Sequence, residues 1–261
     1  MQDDLAGAPL TVGIDLGTQS VRVVLVEENG RISASGSASL SSVRSDSKRH
    51  EQDPEAWWQA LGEASRQATR SLGGKEIGGL AVCSTSGTIL LGDDKGMPLT
   101  PALMYDDGRA DEEAELAQEA GEQVWASLGH GMRSSFALPK LLWLLRSGDV
   151  DGAARLLHSA DFVASRLAGE PVATDWSHAL KTGYDLVNER WPLEVFERLE
   201  IPEGLLPEVV RPGALIGEIG GPAADHMGLP AGTPIRAGMT DGCAAQIAAG
   251  ALEEGRWNSD L

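Results

Sequence analysis

The segment GIDLGTQSVRVVLVEENG, at residues 13–30, constrains the fold of this chain more than any other. An apolar run ending at Asp15 passes through a short loop of small and polar residues into a second apolar run at 21–26. The second run is rich in β-branched side chains, which favour strands, and Asn29-Gly30 is a typical hairpin turn. The pattern predicts antiparallel strands joined by a loop at 17–20, with a further strand following Gly30.

The loop at 17–20 has two interpretations. Small residues let an anion approach backbone N–H groups closely, so Gly17, Thr18, Gln19 and Ser20 suit a phosphate cradle. A tight turn between two strands would use the same residues. Walker loops and dinucleotide-binding glycine loops lead directly into a helix, and no helix can begin at this β-branched run. The sequence therefore excludes those two nucleotide signatures and leaves the cradle and the turn open.

The net charge of −18 over 261 residues limits the partners of this chain. Nucleic acids and anionic membrane surfaces are held by clusters of Lys and Arg, which are absent here, so neither is an expected partner. An anionic substrate such as ATP is also repelled at long range. A phosphate site must therefore rely on local N–H groups and a divalent cation, with a nearby basic side chain as a further option.

The chain is long enough for one large or two small domains with a proper core. Its first residues, MQDDLAGAPL, carry acid where a signal peptide needs a positive segment, and no apolar run reaches about 18 residues. We therefore expect a cytoplasmic protein. Cys83 and Cys243 lie among small or apolar residues, which predicts buried free thiols. The histidines are scattered without metal-ligand spacing, which predicts surface or structural roles.

A helix is predicted after the three strands, because Asp53 and Pro54 suit its N-cap and first helical position. Trp57, Leu61 and Ala64 then recur at helical spacing, which indicates one face packed on the sheet. Further along, the predictions are strands at 77–83, 88–91 and 233–239, helices at 107–126, 138–146, 159–169 and 243–252, and a loop-rich insertion at 172–191. The small residues of the last helix predict close packing against a neighbour.

Six blocks in order resemble the FGGY family of carbohydrate kinases, and the likeness covers nearly the whole chain. GIDLGTQSVRVVLVEENG resembles the first phosphate motif of that family, EQDPEAWW its helix-opening segment, and PALMYDDGR its PAILWNDGR stretch. LPKLLWL and ATDWSHALKTGYDL resemble later blocks, and AGMTDGCAAQIAAGA resembles the segment with the catalytic aspartate. The resemblance implies an α/β chain with the actin-like ATPase (ribonuclease H-like) fold: a mixed sheet in βββαβ order, flanking helices and loop-rich insertions.

The resemblance also implies residue roles and the cofactors ATP and Mg²⁺. Asp241 matches the aspartate that accepts the proton of a sugar hydroxyl as that oxygen attacks the γ-phosphorus. Its alternative role is the N-cap of the helix that follows. Asp15 matches an acid that contacts Mg²⁺ indirectly, and it joins the residues matched to the phosphate site: Asp15, Gly17, Thr18, Gln19 and Ser20. The residues matched to the sugar pocket are Thr85, Ser86, Tyr105, Asp107 and Asp241.

Two departures from the family pattern affect substrate and domain organisation. STSGT at 84–88 stands where the xylulose kinase branch has a QMHG-like block, and Tyr105 replaces a common tryptophan. The expected substrate is a ketopentose, either D-xylulose or D-ribulose. Residues 1–250 match the N-terminal sugar-binding domain, and residues 251–261 match only the start of the C-terminal nucleotide-binding domain. The expected partners are therefore a small sugar and that C-terminal domain, without which the chain is expected to be inactive.

Two other hypotheses remain open at this point. One is a sugar-binding or assembly module that keeps the fold without catalysis. The other is an actin-like ATPase of the chaperone or filament kind, which would hydrolyse ATP without sugar and has no need of the EQDPEAWW and MTDGCAAQ blocks. Self-association as a homodimer has no sequence signal and is also open.

Overall fold

A computed structural model describes residues 8–44, 46–70, 72–148, 150, 152–250 and 255. The expectations for the acidic N-terminus at 1–7 and for the start of a second domain at 251–261 lie outside the described residues, Gly255 excepted. Within the described ranges, no helix is both long enough and apolar enough to cross a membrane.

The strands of the described chain form three sheets. In chain order they are β1 (Leu10–Leu16), β2 (Ser20–Val26), β3 (Ile32–Ser39), β4 (Glu51–Gln52), β5 (Ile77–Ser84), β6 (Ile89–Gly92), β7 (Ala102–Leu103), β8 (Arg155–His158), β9 (Thr174–Asp175), β10 (Val209–Val210), β11 (Leu215–Glu218) and β12 (Pro234–Thr240). The helices are α1 (Pro54–Thr69), α2 (Asp111–Ala120), α3 (Glu122–Ser127), α4 (Ala137–Arg146), α5 (Ser159–Ala168), α6 (Trp176–Leu180), α7 (Leu193–Arg198), α8 (Gly221–Met227) and α9 (Asp241–Ala248), with a 3-10 turn at Glu203–Leu205.

The main sheet has six strands in the order β11-β12-β5-β1-β2-β3. The hairpins β1–β2 and β2–β3 are antiparallel, whereas β5 is parallel to both β1 and β12. The predicted three antiparallel strands, the helix after them and the strand that follows the helix are therefore confirmed. This is the mixed sheet in βββαβ order of the actin-like ATPase fold.

Helix α1 covers one face of this sheet, and its local sequence explains why it begins where it does. Asp53 accepts a hydrogen bond from the Glu55 amide at 2.9 Å, and Pro54 occupies the first turn, as predicted. Trp57 and Leu61 are buried in the core. Gly36 on β3 has to be glycine, because a Cβ there would lie 2.0 Å from the carbonyl oxygen of Ala64. The helix therefore lies closer to β3 than any side chain would allow.

A second sheet, β4-β7-β6-β8, separates two hydrophobic cores. Leu90 and Leu157 face the core shared with the main sheet, while Ile89 and Leu156 face a core formed with α3 and α4. The predicted strand at 88–91 is present, but it belongs to this second sheet. The predicted helix at 107–126 is wrong as one element, since it begins at Asp111 and breaks at Gly121.

The opposite face of the main sheet is much less covered within the described chain. Gly13, Ala81 and Gly238 lie on it, and α9 stands beside it with no buried side chain. The predicted close packing of that helix is therefore wrong for its described part. Cys243 on α9 is exposed and Cys83 on β5 is half-buried, so the prediction of two buried thiols is also wrong. Cys243 is exposed because no described element covers α9.

Candidate functional site

Three parallel strands end side by side at one edge of the main sheet. Leu16 of β1 pairs with Ser84 of β5, and Ser84 pairs in turn with Thr240 of β12. Each strand is followed by one of the segments singled out in the sequence: the loop at 17–20, the block at 84–88 and Asp241. Ligands of open α/β sheets bind at the carboxyl ends of the strands. The sheet therefore brings three predicted segments to one place.

Asp15 and Asp241 line the same cavity, which has a volume of about 770 Å³. Burial raises the pKa of Asp15, the Arg22 guanidinium opposes that rise, and the negative charge of Asp241 adds to it. Arg22 lies opposite Asp15 in the β1–β2 hairpin, and its Nη1 is 3.3 Å from the Asp15 carboxylate. The cavity is thus lined by two carboxylates and by two basic side chains, Arg22 and Arg236, that the sequence reasoning missed. The register of the hairpin would have placed Arg22 beside Asp15.

The loop at 17–20 is held by hydrogen bonds from the buried side chain of Gln52. Gln52 Nε2 donates to the carbonyl oxygen of Thr18 at 2.6 Å and to Ser42 Oγ at 2.8 Å, while Gln52 Oε1 accepts from Trp57 Nε1 at 2.6 Å. Within the loop, the Gly17 amide donates to the Ser20 carbonyl oxygen at 3.1 Å. Gln19 is exposed, and Thr18 and Ser20 are half-buried. The EQDP block therefore positions this loop as well as starting α1.

Asp241 is the first residue of α9, and Thr240 occupies the N-cap position. The alternative in which Asp241 caps the helix is therefore wrong. The Asp241 carboxylate is exposed and accepts a hydrogen bond from the amide of Gly242 at 2.8 Å. An exposed carboxylate at a strand end, with most of its lone pairs open, can accept a proton from a bound hydroxyl.

The block at 84–88 forms a rigid turn after β5. Thr85 Oγ1 and Thr88 Oγ1 lie 2.7 Å apart in a hydrogen bond, and both side chains are buried. Gly87 has a φ of +85°, and a Cβ there would lie 2.8 Å from the carbonyl oxygen of Ser135. Ser86 is half-buried, whereas Ser84 is fully buried. Of the two predicted sugar-binding residues in this block, Ser86 is the more accessible.

The block at 104–109 contains two more predicted sugar-binding residues, Tyr105 and Asp107, and they differ in exposure. Tyr105 is exposed. Asp107 is fully buried, and its carboxylate accepts hydrogen bonds from the His50 amide at 2.9 Å and from Arg109 Nη2 at 2.8 Å. Arg109 also donates to Glu51 and lies over the Trp143 ring at 4.4 Å. The structure thus places Asp107 among protein partners.

A buried lysine joins these two blocks. Lys140 Nζ donates to the carbonyl oxygens of Gly87, at 2.9 Å, and Met104, at 2.6 Å. Burial lowers the pKa of Lys140 to about 7, against the opposing charge of Asp107. The sequence did not indicate the role of Lys140. The apolar pattern of LPKLLWL predicts that one face of the helix is buried, but it does not predict which backbone groups a buried lysine contacts.

Lys181 is a further basic residue, and it lies within electrostatic range of Asp241. Its Nζ lies 3.4 Å from the Ser86 carbonyl oxygen and 5.4 Å from the centre of the Phe136 ring. Burial lowers the pKa of Lys181, while the negative charge of Asp241 opposes that shift. The sequence did not indicate that Lys181 lies near the site, because the loop-rich insertion that contains it reaches the site only through the tertiary fold.

Asp15 and Asp241 are oxygen donors of the kind that Mg²⁺ prefers. Among the described residues, no group of three or more His, Cys, Asp or Glu side chains could hold a metal ion by itself. Mg²⁺ in phosphoryl-transfer sites is commonly held by one or two carboxylates together with substrate phosphates. The donor set therefore fits Mg²⁺ that arrives with a nucleotide.

Comparisons with known proteins identify the family of the chain. The profile of the FGGY family of carbohydrate kinases, N-terminal domain, matches residues 10–248. A xylulose kinase of Streptomyces coelicolor is 36% identical over 259 residues, which cover 94% of this chain and 51% of that protein. An autoinducer-2 kinase of Yersinia pseudotuberculosis is 32% identical over 241 residues, covering 88% and 45%.

Among solved structures, the xylulose kinase from Rhodospirillum rubrum superposes with a TM-score of 0.87 at 28% identity. That match covers 94% of this chain and 52% of the other. The chain thus spans about half the length of the curated relatives that it matches.

Proposed function

Since the chain belongs to the FGGY family of carbohydrate kinases, we propose that it is the sugar-binding part of an ATP-dependent ketopentose kinase. The proposal depends most on one observation: Asp15 and Asp241 line the same cavity at the ends of parallel strands. D-xylulose and D-ribulose are the proposed substrates. Similarity to proteins named xylulose kinase supports this substrate class.

In the proposed reaction, Asp241 holds the acceptor hydroxyl of the sugar and takes its proton. A new bond forms between that oxygen and the γ-phosphorus, and the bond from phosphorus to the ADP oxygen breaks. Because the transition state of phosphoryl transfer is loose, the position of the base matters more than its strength. Bound ATP would supply the phosphoryl group, and Mg²⁺ would neutralise the negative charge of its phosphates. Asp15 would orient the hydrated metal, and the loop at 17–20 would border the transferred phosphate.

Sugar recognition is assigned to the segments around this centre. Ser86 and Tyr105 are accessible and would supply a hydroxyl and a ring face. Thr85 is buried and hydrogen-bonded to Thr88, so it would form part of the wall of the sugar pocket. Asp107 would hold the 104–109 block in place through Arg109, because its carboxylate is buried among protein donors.

The proposed domain organisation follows from the partial coverage of the relatives. Residues 1–250 would form the N-terminal domain, and residues 251–261 would begin a C-terminal domain that binds the nucleotide. Turnover would then need both domains, with the sugar held by the first. A module that binds sugar without catalysis is the alternative, and the experiment below separates the two.

The test combines ligand binding with turnover. A panel of ketoses and polyols is first screened by thermal shift on this chain, since a ligand of the folded form raises its melting temperature. ADP release is then measured with the C-terminal half supplied in trans. We expect turnover with a ketopentose that Asp241→Asn reduces by about a hundredfold or more. The control is Asp225→Asn, which alters an exposed carboxylate on α8.

Each outcome has a clear meaning. Sugar binding without turnover in the completed enzyme would favour the non-catalytic module. Equal turnover in wild type and Asp241→Asn would remove Asp241 from the reaction. ATP hydrolysis that ignores the presence of sugar would favour an actin-like ATPase.

A further inference from the structure

A buried polar network lies directly beneath the strand ends. Its centre is Asp175, the N-cap of α6, whose carboxylate accepts hydrogen bonds from Ser177 and His178. Asp175 Oδ1 accepts from the Ser177 amide at 2.8 Å and from Ser177 Oγ at 2.5 Å, and Asp175 Oδ2 is hydrogen-bonded to His178 Nδ1. Asp175 and His178 are buried. Both side chains are therefore held in a single geometry.

One end of this network reaches the turn that carries Asp241. The amide of Thr240 donates to Ser177 Oγ at 2.8 Å. Thr240 is the N-cap of α9, and its own side chain makes no capping hydrogen bond. This contact from α6 restrains the start of α9, together with the pairing of Thr240 with Ser84 of β5.

The other end reaches the block at 84–88. His178 Nε2 lies 2.8 Å from Ser84 Oγ, which also accepts a hydrogen bond from Ser159 Oγ at 2.9 Å. The order Ser84, His178, Asp175 is that of a nucleophilic triad. Ser84 is fully buried, so a substrate carbonyl has no access to its oxygen. The arrangement is therefore unsuited to acyl transfer, and its contacts lead to two segments of the proposed kinase site.

We propose that Ser177 and His178 are positioning residues: Ser177 fixes the turn that carries Asp241, and His178 fixes the 84–88 block. This inference rests on the proposed function. It assigns the two residues different effects, because Ser177 contacts the segment of the base whereas His178 contacts the segment of the sugar pocket. Loss of the Ser177 hydroxyl would lower kcat, and loss of the His178 contact would raise KM for the sugar.

The first measurement needs no catalysis. Amide hydrogen exchange of Thr240 is compared in wild type, Ser177→Ala and Ser177→Thr, the last of which keeps a hydroxyl. Exchange should be about tenfold faster in Ser177→Ala and restored in Ser177→Thr, since the acceptor of the amide is lost only in the first. Ser127→Ala is the control, because it removes an exposed hydroxyl on α3. Unchanged exchange in Ser177→Ala would overturn the inference.

The second measurement is a split between kinetic constants in the enzyme completed with its C-terminal half. We expect Ser177→Ala to lower kcat by about 10- to 100-fold with KM for the sugar little changed, as a displaced base should. His178→Gln should mainly raise KM, and Ser177→Thr should recover kcat. Equal losses in both constants for both variants would indicate a merely structural network and overturn the inference.

The two measurements keep the two proposals apart. A wild-type enzyme that phosphorylates no ketose or polyol would refute the proposed function. The exchange rates would then decide by themselves whether Ser177 fixes the turn before Asp241.

Discussion

The two faces of the six-stranded sheet are built differently. One face carries large side chains such as Val12, Ile14 and Val23, and α1 and α5 pack on it, with α8 packed against both helices. The other carries Gly13, Ala81 and Gly238, and it opens onto the cavity that contains Asp15 and Asp241. The two faces therefore serve different purposes. The covered face supplies the hydrophobic stability of the fold, while the open face keeps the strand ends accessible.

The open face also changes the chemistry of its own side chains. Burial raises the pKa of the Cys83 thiol to about 12, and the charges of Asp15 and Asp241 add to this rise. Cys83 therefore stays a neutral thiol at physiological pH, even though it lines the cavity. The thiol is therefore poorly suited to act as a nucleophile.

The largest expected effect lies on the covered face. Trp57→Ala removes a fully buried side chain and also the donor to Gln52 Oε1. We expect the free energy of unfolding to fall by about 3–5 kcal/mol, as for other large core truncations. Urea denaturation followed by circular dichroism measures the change. A loss below about 1 kcal/mol would show that the covered face contributes far less to stability than its burial indicates.

A smaller effect is expected at Gly238, where β12 lies close to β5 on the open face. A Cβ at Gly238 would lie 1.8 Å from the carbonyl oxygen of Val82, so Gly238→Ala must displace the β5–β12 pair. We expect a loss of about 1–3 kcal/mol in the free energy of unfolding.

The matched control for that variant is Gly242→Ala on α9. A Cβ at Gly242 meets no heavy atom within 4 Å, and alanine favours a helix over glycine. This variant should be neutral or slightly stabilising in the same denaturation assay. If both variants destabilise equally, the close approach of β12 to β5 is not the cause.

The third prediction concerns pH and the second sheet. Lys140→Met leaves the buried Gly87 carbonyl oxygen without its lysine donor and removes one of the two donors to the Met104 carbonyl oxygen, which should lower the free energy of unfolding by about 1–3 kcal/mol. The pKa of Lys140 is lowered from 10.5 to about 7, so between these values the unfolded chain binds more protons than the folded one. Wild-type stability should therefore rise relative to Lys140→Met from pH 7 to pH 10.

Chemical denaturation of both proteins at several pH values checks this sign. A difference in stability that stays constant over that range would mean that the lysine keeps its proton in the folded state. Lys95→Met is a suitable control, since Lys95 is exposed on the turn at 93–96.

The smallest effect is expected on α9. Ile247 is 49% exposed, and Ile247→Ala should change the free energy of unfolding by less than about 0.5 kcal/mol. Measured beside Trp57→Ala, it tests the contrast between the two faces directly. A loss above about 1.5 kcal/mol would show that Ile247 is buried in solution by a surface that the described residues do not supply.

The sequence predicted α1 well and the segment at 107–126 poorly, for related reasons. Asp53, Pro54 and the apolar spacing act within one helix, so their signals are local. In the other segment, Trp125 Nε1 donates back to the Ala117 carbonyl oxygen at 2.8 Å. A Cβ at Gly121 would lie 2.4 Å from the Trp125 ring, so the chain turns there. That break depends on where one ring packs, which periodicity does not encode.

The sequence by itself determined the strands of the opening hairpins, the start of α1 and the family, and it singled out Asp15 and Asp241 as candidate site residues. Those features come from local propensity or from motifs that lie within short segments. Only the tertiary structure decided that the buried Asp107 carboxylate accepts from the His50 amide and that Ser177 contacts the turn before Asp241. These contacts join residues that meet because parallel strands and buried networks bring distant segments together, and no local pattern records such a meeting.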